Sequence, residues 1–433
     1  MNIDAHTQEP VENKGLDRAT YLKIFSAGFS FFVAGVNDGS IGALLPYVIR
    51  EYDVSTAIVS SVYGANFFGW LFVALVNTHL CQYLGLGAML ALGAFCQILA
   101  HALRTWQPPF GLFVTSFWLV SVGQALQDTH ANTFCAGIKG AHRWLAFIHA
   151  MFMAGCLIGP FVSTGIASAG PVSKWYLFYT FPMSLGVVNL SLCVYAFRDS
   201  MLVKHKKPLT SSSLQESQDV PEPSAERSRN KGAMELIKAT VSTPSVWLLS
   251  LFFFFYLGAV ATASGWVVEY LVDVRDGDLA LMGYVPAGFN GGALLGRVLL
   301  AEPTHRLGER KMVFIYSVLA LGLQLIFWLV PNIIAASIAV SFVGFFTGPL
   351  FATGISLGAK LFPEKIHATA LAMVFVFAQM GASIFPIVTG VISSAAGVAV
   401  LQPILVALLV STSISWLLVP RPKSASNAAL HQE

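Results

Sequence analysis

From Tyr21 to Leu418 the chain alternates long apolar runs with short polar breaks, and the runs have the length of membrane-crossing helices. A hydrocarbon core of roughly 30 Å needs about 20 apolar residues at a helical rise of 1.5 Å. Twelve such spans are expected. Six lie at 21–46, 56–77, 86–104, 110–136, 144–168 and 175–197, and six at 245–271, 280–300, 311–330, 333–358, 366–392 and 398–419. Breakers such as Gln107-Pro108-Pro109, Pro331-Asn332 and Arg275-Asp276-Gly277-Asp278 separate them. The text SSSLQESQDVPEPSAERSRN in the longest polar interval has no apolar period, so this interval is expected to be disordered. The expected organisation is a tail at 1–20, a six-helix half at 21–197, a central loop at 198–243, a second half at 244–419 and a tail at 420–433.

Composition agrees with this reading. With 55% hydrophobic and 11% charged residues, and a mean hydropathy of +0.68, a soluble fold could not cover its apolar surface. The net charge of +3 forms no stripe for nucleic acid. Its placement carries the information. Lys14, Arg18 and Lys23 stand at the first span, Lys139 and Arg143 between spans four and five, and Arg198, Lys204, Lys206, Lys207, Arg227, Arg229, Lys231 and Lys238 in the central interval. Arg306, Arg310, Lys311, Lys360, Lys365, Arg421 and Lys423 continue the series, whereas the opposite side has Arg50, Arg104, Lys174 and Arg275. The positive-inside rule then places both termini and the central loop in the cytoplasm. The first twenty residues show no cleavable signal pattern, so insertion is expected to begin with the first span. Cys81, Cys96, Cys135, Cys156 and Cys193 have neither metal-ligand spacing nor a disulfide framework and read as packing residues. No cofactor is expected.

The two halves echo each other. Gly69 and Gly85 are spaced like Gly292 and Gly308, Gly123 and Gly137 like Gly344 and Gly358, and Gly155 and Pro160 like Gly381 and Pro386. The offsets are 223, 221 and 226 residues. Matches in one order at nearly one offset imply parallel halves related by an axis along the membrane normal.

Polar residues inside the spans are the candidates for function. Asp38, beside Asn37 and among Gly35, Gly39 and Gly42, lies within the first span. A carboxylate there costs about 2.5–3.5 kcal/mol on insertion scales, so it is expected to face a cavity or a partner helix. In span four Gln124, Asp128 and Asn132 recur every four residues, with Gln127 and His130 nearby, giving one stripe that must line a polar interior or pair with a neighbour. Tyr256, Trp266 and Glu269 in span seven, Asn290 in span eight and Gln379 in span eleven are weaker signals. Glu269 reads equally as a solvated residue, and His149 as packing. No GxxxxGK[ST], HExxH or zinc-spaced cysteine pair is present, so no enzymatic chemistry and no nucleotide-driven pump is expected.

Over essentially the whole chain these features resemble the major facilitator superfamily. The segment GGALLGRVLLAEPTHRLGERK is similar to the superfamily signature between spans eight and nine. Asn37-Asp38-Gly39 followed by GALLPYV, Asp128 with Asn132, and Tyr256-x-Gly258 followed by Gly265-Trp266 look like the branch containing the fucose/proton symporters and their fungal relatives. The resemblance implies an all-α membrane protein of twelve helices in two parallel halves. It also implies that Asp38 and Asp128 bind protons or solute, with Asn37, Gln124, Asn132, Asn290 and Gln379 offering hydrogen bonds and Tyr256 and Trp266 apolar surface. Gly292, Gly296, Arg297, Gly308 and Arg310 would serve gating. Two departures stand out. NTHLCQYLGLG between spans two and three lacks the usual charges, and Ala259-Val260-Ala261 stands where relatives often carry a glutamate, so a simple hexose is not the expected substrate.

The expected function is secondary transport of a small organic solute, sugar-like or a secondary metabolite, by alternating access with protons as the coupling ion. Efflux of a hydrophobic metabolite or toxin is the alternative. A non-transporting sensor is a further one, opposed by the short central loop. Lipid bilayer, solute and protons are the expected partners, in the plasma membrane or alternatively a vacuolar or other endomembrane.

Overall fold

A computed structural model describes residues 16–202 and 235–421. The disorder expected for the central interval falls mostly on 203–234, outside the described residues. At its margin Arg198–Ser200 forms a 3-10 turn, and Leu202 pairs with Leu84 in an isolated bridge.

The first half comprises α1 Arg18–Tyr52, α2 Thr56–Leu80, α3 Leu86–Arg104, α4 Phe110–Ala136, α5 Ala141–Ala167 and α6 Trp175–Ala196. The second comprises α7 Pro244–Asp273, α8 Val285–Leu299, α9 Glu309–Leu329, α10 Ile333–Leu361, α11 His367–Ala396 and α12 Leu401–Leu418. Among the described residues eleven helices are long and apolar enough to cross a membrane. The exception is α8, with 15 residues, flanked by the short helices Leu279–Met282 and Ala301–Leu307. One unbroken span was expected there. Instead α8 restarts with Pro286 in its first turn, where a missing N–H costs nothing.

The first helix also runs beyond Pro46, where the sequence suggests an end. The Arg50 guanidinium donates to the Pro46 carbonyl at 2.8 Å, and Asp53 closes the helix in the left-handed region at φ 48°. At its start the Asp17 carboxylate accepts from the Thr20 N–H at 3.1 Å, satisfying one of the free donors of the first turn.

Small residues let the helices approach backbone to backbone, the usual way membrane helices gain dispersion contact. A Cβ on Gly35 would strike the Phe152 carbonyl of α5, and one on Gly155 the Phe32 carbonyl of α1. Gly381 meets the Phe254 carbonyl between α11 and α7 in the same way. Gly69 against Trp118 joins α2 to α4, and Gly292 against Ser341 joins α8 to α10. Two of the three repeats therefore play equivalent parts in both halves. The third diverges, because Gly123 packs on Gly93 of α3 whereas Gly344 packs on Phe289 of α8.

The apolar core is distributed unevenly along the membrane normal. At the end of the bundle that carries Arg50, one buried cluster draws on both halves, including Leu44, Val48, Tyr63, Trp266, Leu271 and Phe289. Towards the opposite end the clusters separate by half. Phe252, Tyr256, Leu357 and Trp416 belong to one, and Phe31, Leu90, Ala131 and Phe197 to the other. The halves are thus sealed together at the Arg50 end.

Candidate functional site

Two carboxylates of the first half meet at one small cavity. Asp38 of α1 and Asp128 of α4 line it together with Gln124, Trp70 and Phe152. Its volume of about 40 Å³ has room for water and is far below that of an organic-solute pocket. One Asp38 carboxylate oxygen accepts from Asn37 Nδ2 at 2.9 Å and from Gln124 Nε2 at 2.9 Å. Asn132 stands one turn beyond Asp128 on α4. Of the expected set, Asp38, Asn37, Gln124 and Asp128 are therefore brought together, with Asn132 one turn further along α4.

Behind Asn37 stands a residue that the charge pattern had put on the outer surface. Arg104 is fully buried. Its Nη1 donates to Asn37 Oδ1 at 3.0 Å and its Nε to Ser116 Oγ at 2.6 Å, while the guanidinium lies 3.8 Å from the centre of the Phe117 ring and 5.0 Å from that of Tyr179. The correction has a signal in the sequence. Gln97, His101 and Arg104 are spaced four and three apart on α3, and all are fully buried, so they form a second polar stripe. Gln97 uses this stripe to reach Gln127, donating from Nε2 to Oε1 at 2.8 Å. Gln127 in turn donates to the Leu90 carbonyl at 2.9 Å, so its amide is committed to α3. His149 packs edge-on to Phe31 with ring centres 5.3 Å apart, the packing role expected of it.

The second half contributes fewer free polar groups. The Tyr256 hydroxyl donates to the Thr347 carbonyl at 3.0 Å, and Trp266 Nε1 to the Pro386 carbonyl at 3.1 Å. Both are internal braces. Asn290 Nδ2 crosses to the Cys156 carbonyl of α5 at 3.0 Å, and Gln379 is half-buried on α11.

The residues expected to gate join elements of the second half. Gly292 and Gly296 pack on Ser341 and Phe345 of α10, and Arg297 Nε donates to the Gly348 carbonyl at 3.1 Å, at the break within α10. Gly308 turns the chain into α9 at φ +98°, a conformation open to glycine, and Arg310 donates to the Leu417 carbonyl at 2.8 Å. The ionic link between halves lies elsewhere. Arg50 Nη1 lies 3.0 Å from Glu269 Oε2, Arg50 Nη2 lies 3.1 Å from Asp273 Oδ1, and Thr56 donates to the Gly390 carbonyl at 2.9 Å. Glu269 is buried rather than solvated.

A helical membrane bundle of two echoing halves, sealed at one end and holding carboxylates in its interior, has the architecture of a solute transporter. The Major Facilitator Superfamily profile matches residues 27–343 and 277–433, and the chain belongs to that family. It is a transporter and not an enzyme. A relative from Saccharomyces cerevisiae, bypass of stop codon protein 6, is 25% identical over 419 residues, covering 92% of this chain and 82% of the relative. Among solved structures, a bacterial homologue of the human lysosomal transporter Spinster, inward-facing and unoccupied, superposes with a TM-score of 0.72 at 13% identity, covering 94% of this chain and 98% of that one. The same homologue, inward-facing and occupied, gives 0.66 at 12% identity with the same coverage. These structures share the fold.

Proposed function

We propose that this chain is a proton-coupled secondary transporter of a small organic solute, with Asp38 and Asp128 as its coupling residues. The meeting of these two carboxylates, both half-buried, at one small cavity carries the reading. Carboxyl groups at membrane depth are expensive, and lining a proton or solute path is their usual reason for being there. Alternating access then rocks residues 21–197 against 244–419, with Asn290 and the Arg50–Glu269 link released as the sealed end opens. The excess of Lys and Arg at the Arg310 end supports a cytoplasmic placement for it and for both termini. The sealed Arg50 end then faces outward.

Efflux of a hydrophobic metabolite is favoured by one observation. Tyr256 and Trp266 spend their polar atoms on backbone carbonyls, and rings such as Phe254, Phe351 and Phe385 dominate the interior of the second half. That surface suits an apolar solute.

The deciding experiment uses proteoliposomes with an internal pH dye and a panel of sugars, organic acids and hydrophobic metabolites, for wild type, Asp38→Asn and Asp128→Asn. A solute-dependent proton flux lost in both variants supports coupling and names the substrate class. Full proton-driven accumulation in either variant removes that residue from the coupling role.

A further inference from the structure

We infer that Arg104 is a positioning residue that holds Asp38 as a fixed negative charge, leaving Asp128 as the carboxyl that exchanges the proton. This deepens the proposed coupling role of the two aspartates and rests on it.

A guanidinium stays protonated in essentially any protein setting. Buried and without a counter-charge, it is costly to keep. Arg104 is fully buried, and among the described residues the ion pairs involve Lys23, Arg50, Arg306 and Lys360 but not Arg104. Its hydrogen-bond partners are the Ser116 hydroxyl and the Asn37 side-chain oxygen, both neutral. The rings of Phe117 and Tyr179 add the attraction of their faces, again without a full charge.

The first full negative charge along its hydrogen bonds is Asp38, one amide away. Asn37 receives Arg104 at its oxygen and donates from its nitrogen to the Asp38 carboxylate at 2.9 Å. An amide used at both ends relays polarisation, since a cation at its oxygen makes its N–H a stronger donor. Gln124 adds a second N–H to the same carboxylate oxygen. Around Asp38, α3 thus presents Arg104, α4 presents Gln124 and Asp128, and α5 presents the neutral Phe152 and Cys156.

Asp128 is placed differently. It lines the same cavity, and among the described residues no hydrogen bond or ion pair links it to a cation. Protonating Asp38 would leave Arg104 without its balancing charge. Protonating Asp128 leaves the Arg104–Asn37–Asp38 chain intact.

A stability cycle on the purified full-length protein in nanodiscs tests this without a solute. Asp38→Asn and Arg104→Met are each expected to lower the thermal midpoint, and the charge-balanced double variant to recover much of the loss. Should Arg104→Met fail to fold, Asn37→Ala breaks the relay while keeping both charges, and its loss should shrink in the Asp38→Asn background. Arg104→Lys should retain more stability than Arg104→Met. Strictly additive losses, or Lys performing no better than Met, would overturn the pairing.

The second arm follows solute-driven proton flux. Asp128→Asn abolishing flux while Asp38→Asn retains part of it supports the division of roles; the reverse pattern, or equal loss in both variants, overturns it and leaves the coupling reading standing. A coupled stability cycle with flux unaffected by either aspartate would instead show that the charge pairing stands and the transport reading fails.

Discussion

Arg50 of α1 and Glu269 of α7, 219 positions apart in sequence, meet at 3.0 Å across the seam between the halves. The Glu269 side chain is 4% exposed and that of Arg50 41%, so the pair sits where water ends and the apolar seal begins. Partial exposure screens the attraction, but removing the arginine would leave a buried carboxylate unpaired. Arg50→Gln is therefore expected to weaken the seal by about 1–2 kcal/mol, roughly tenfold in the ratio of sealed to open forms. In a cysteine-free background, a single cysteine at Ser264, five residues before Glu269 on α7 and against Gly42 of α1, should react about tenfold faster with an impermeant maleimide added from the Arg50 side. The exchanged pair Arg50→Glu with Glu269→Arg should slow it again. Unchanged labelling in Arg50→Gln would mean that the apolar cluster alone holds the seam.

The contact between α1 and α5 leaves no room for side chains at its glycines. Gly35→Val forces the helices apart at the Phe152 carbonyl and is expected to cost about 1–3 kcal/mol. Gly111→Ala, where a Cβ meets nothing within 4 Å, should be close to neutral. Thermal midpoints of the two purified variants make the comparison, and equal midpoints would refute tight packing at Gly35.

Trp266 is tied to the Pro386 carbonyl of α11, so it is expected to support the frame and not to read the solute. Trp266→Phe loses the bond to the Pro386 carbonyl and some ring volume, together about 1–3 kcal/mol. The thermal midpoint should fall while the KM of any transported solute stays within about twofold, a change of under ~0.5 kcal/mol. A large rise in KM at unchanged stability would return Trp266 to the binding site.

A fourth expectation concerns pH. The hydrogen bond from the Lys23 ammonium, at 2.6 Å, holds the Asp199 carboxyl below its ordinary value of 3.8. A depressed folded value means that the stabilisation is fully present above 3.8 and is lost as pH falls through the lower, folded value. The carboxylate is 60% exposed, so the effect is small and screened by salt. Wild type should exceed Asp199→Asn in thermal midpoint at pH 6 and low salt, and the gap should close towards pH 3. A gap that persists at pH 3 would exclude the ion pair as its source.

Much of this architecture can be read along the chain, because lipid demands long apolar runs and tolerates few charges inside them. Asp38 and the Gln124-Asp128-Asn132 stripe announce themselves as violations of that demand. Arg104 does not, since a cation at the end of a span looks the same whether it snorkels to water or folds back onto Phe117 and Asn37. Proximity across more than 60 residues of chain decides between the two. Arg50 and Glu269 are hidden for the same reason, each being an ordinary end-of-helix charge until the other half is placed beside it. The α8 break and the commitment of Tyr256 and Trp266 to backbone carbonyls likewise depend on neighbours that no local pattern names.

The glycine contacts that key α1 to α5 and α7 to α11 make each half a stiff lever. Strain applied at one depth is carried along the whole half and not absorbed locally, so a small rotation near the middle of the membrane becomes a larger displacement at the rim. The work of opening is then concentrated on a few side chains at the seam, and evolution can retune the speed of the cycle there without touching the groups that choose what is carried.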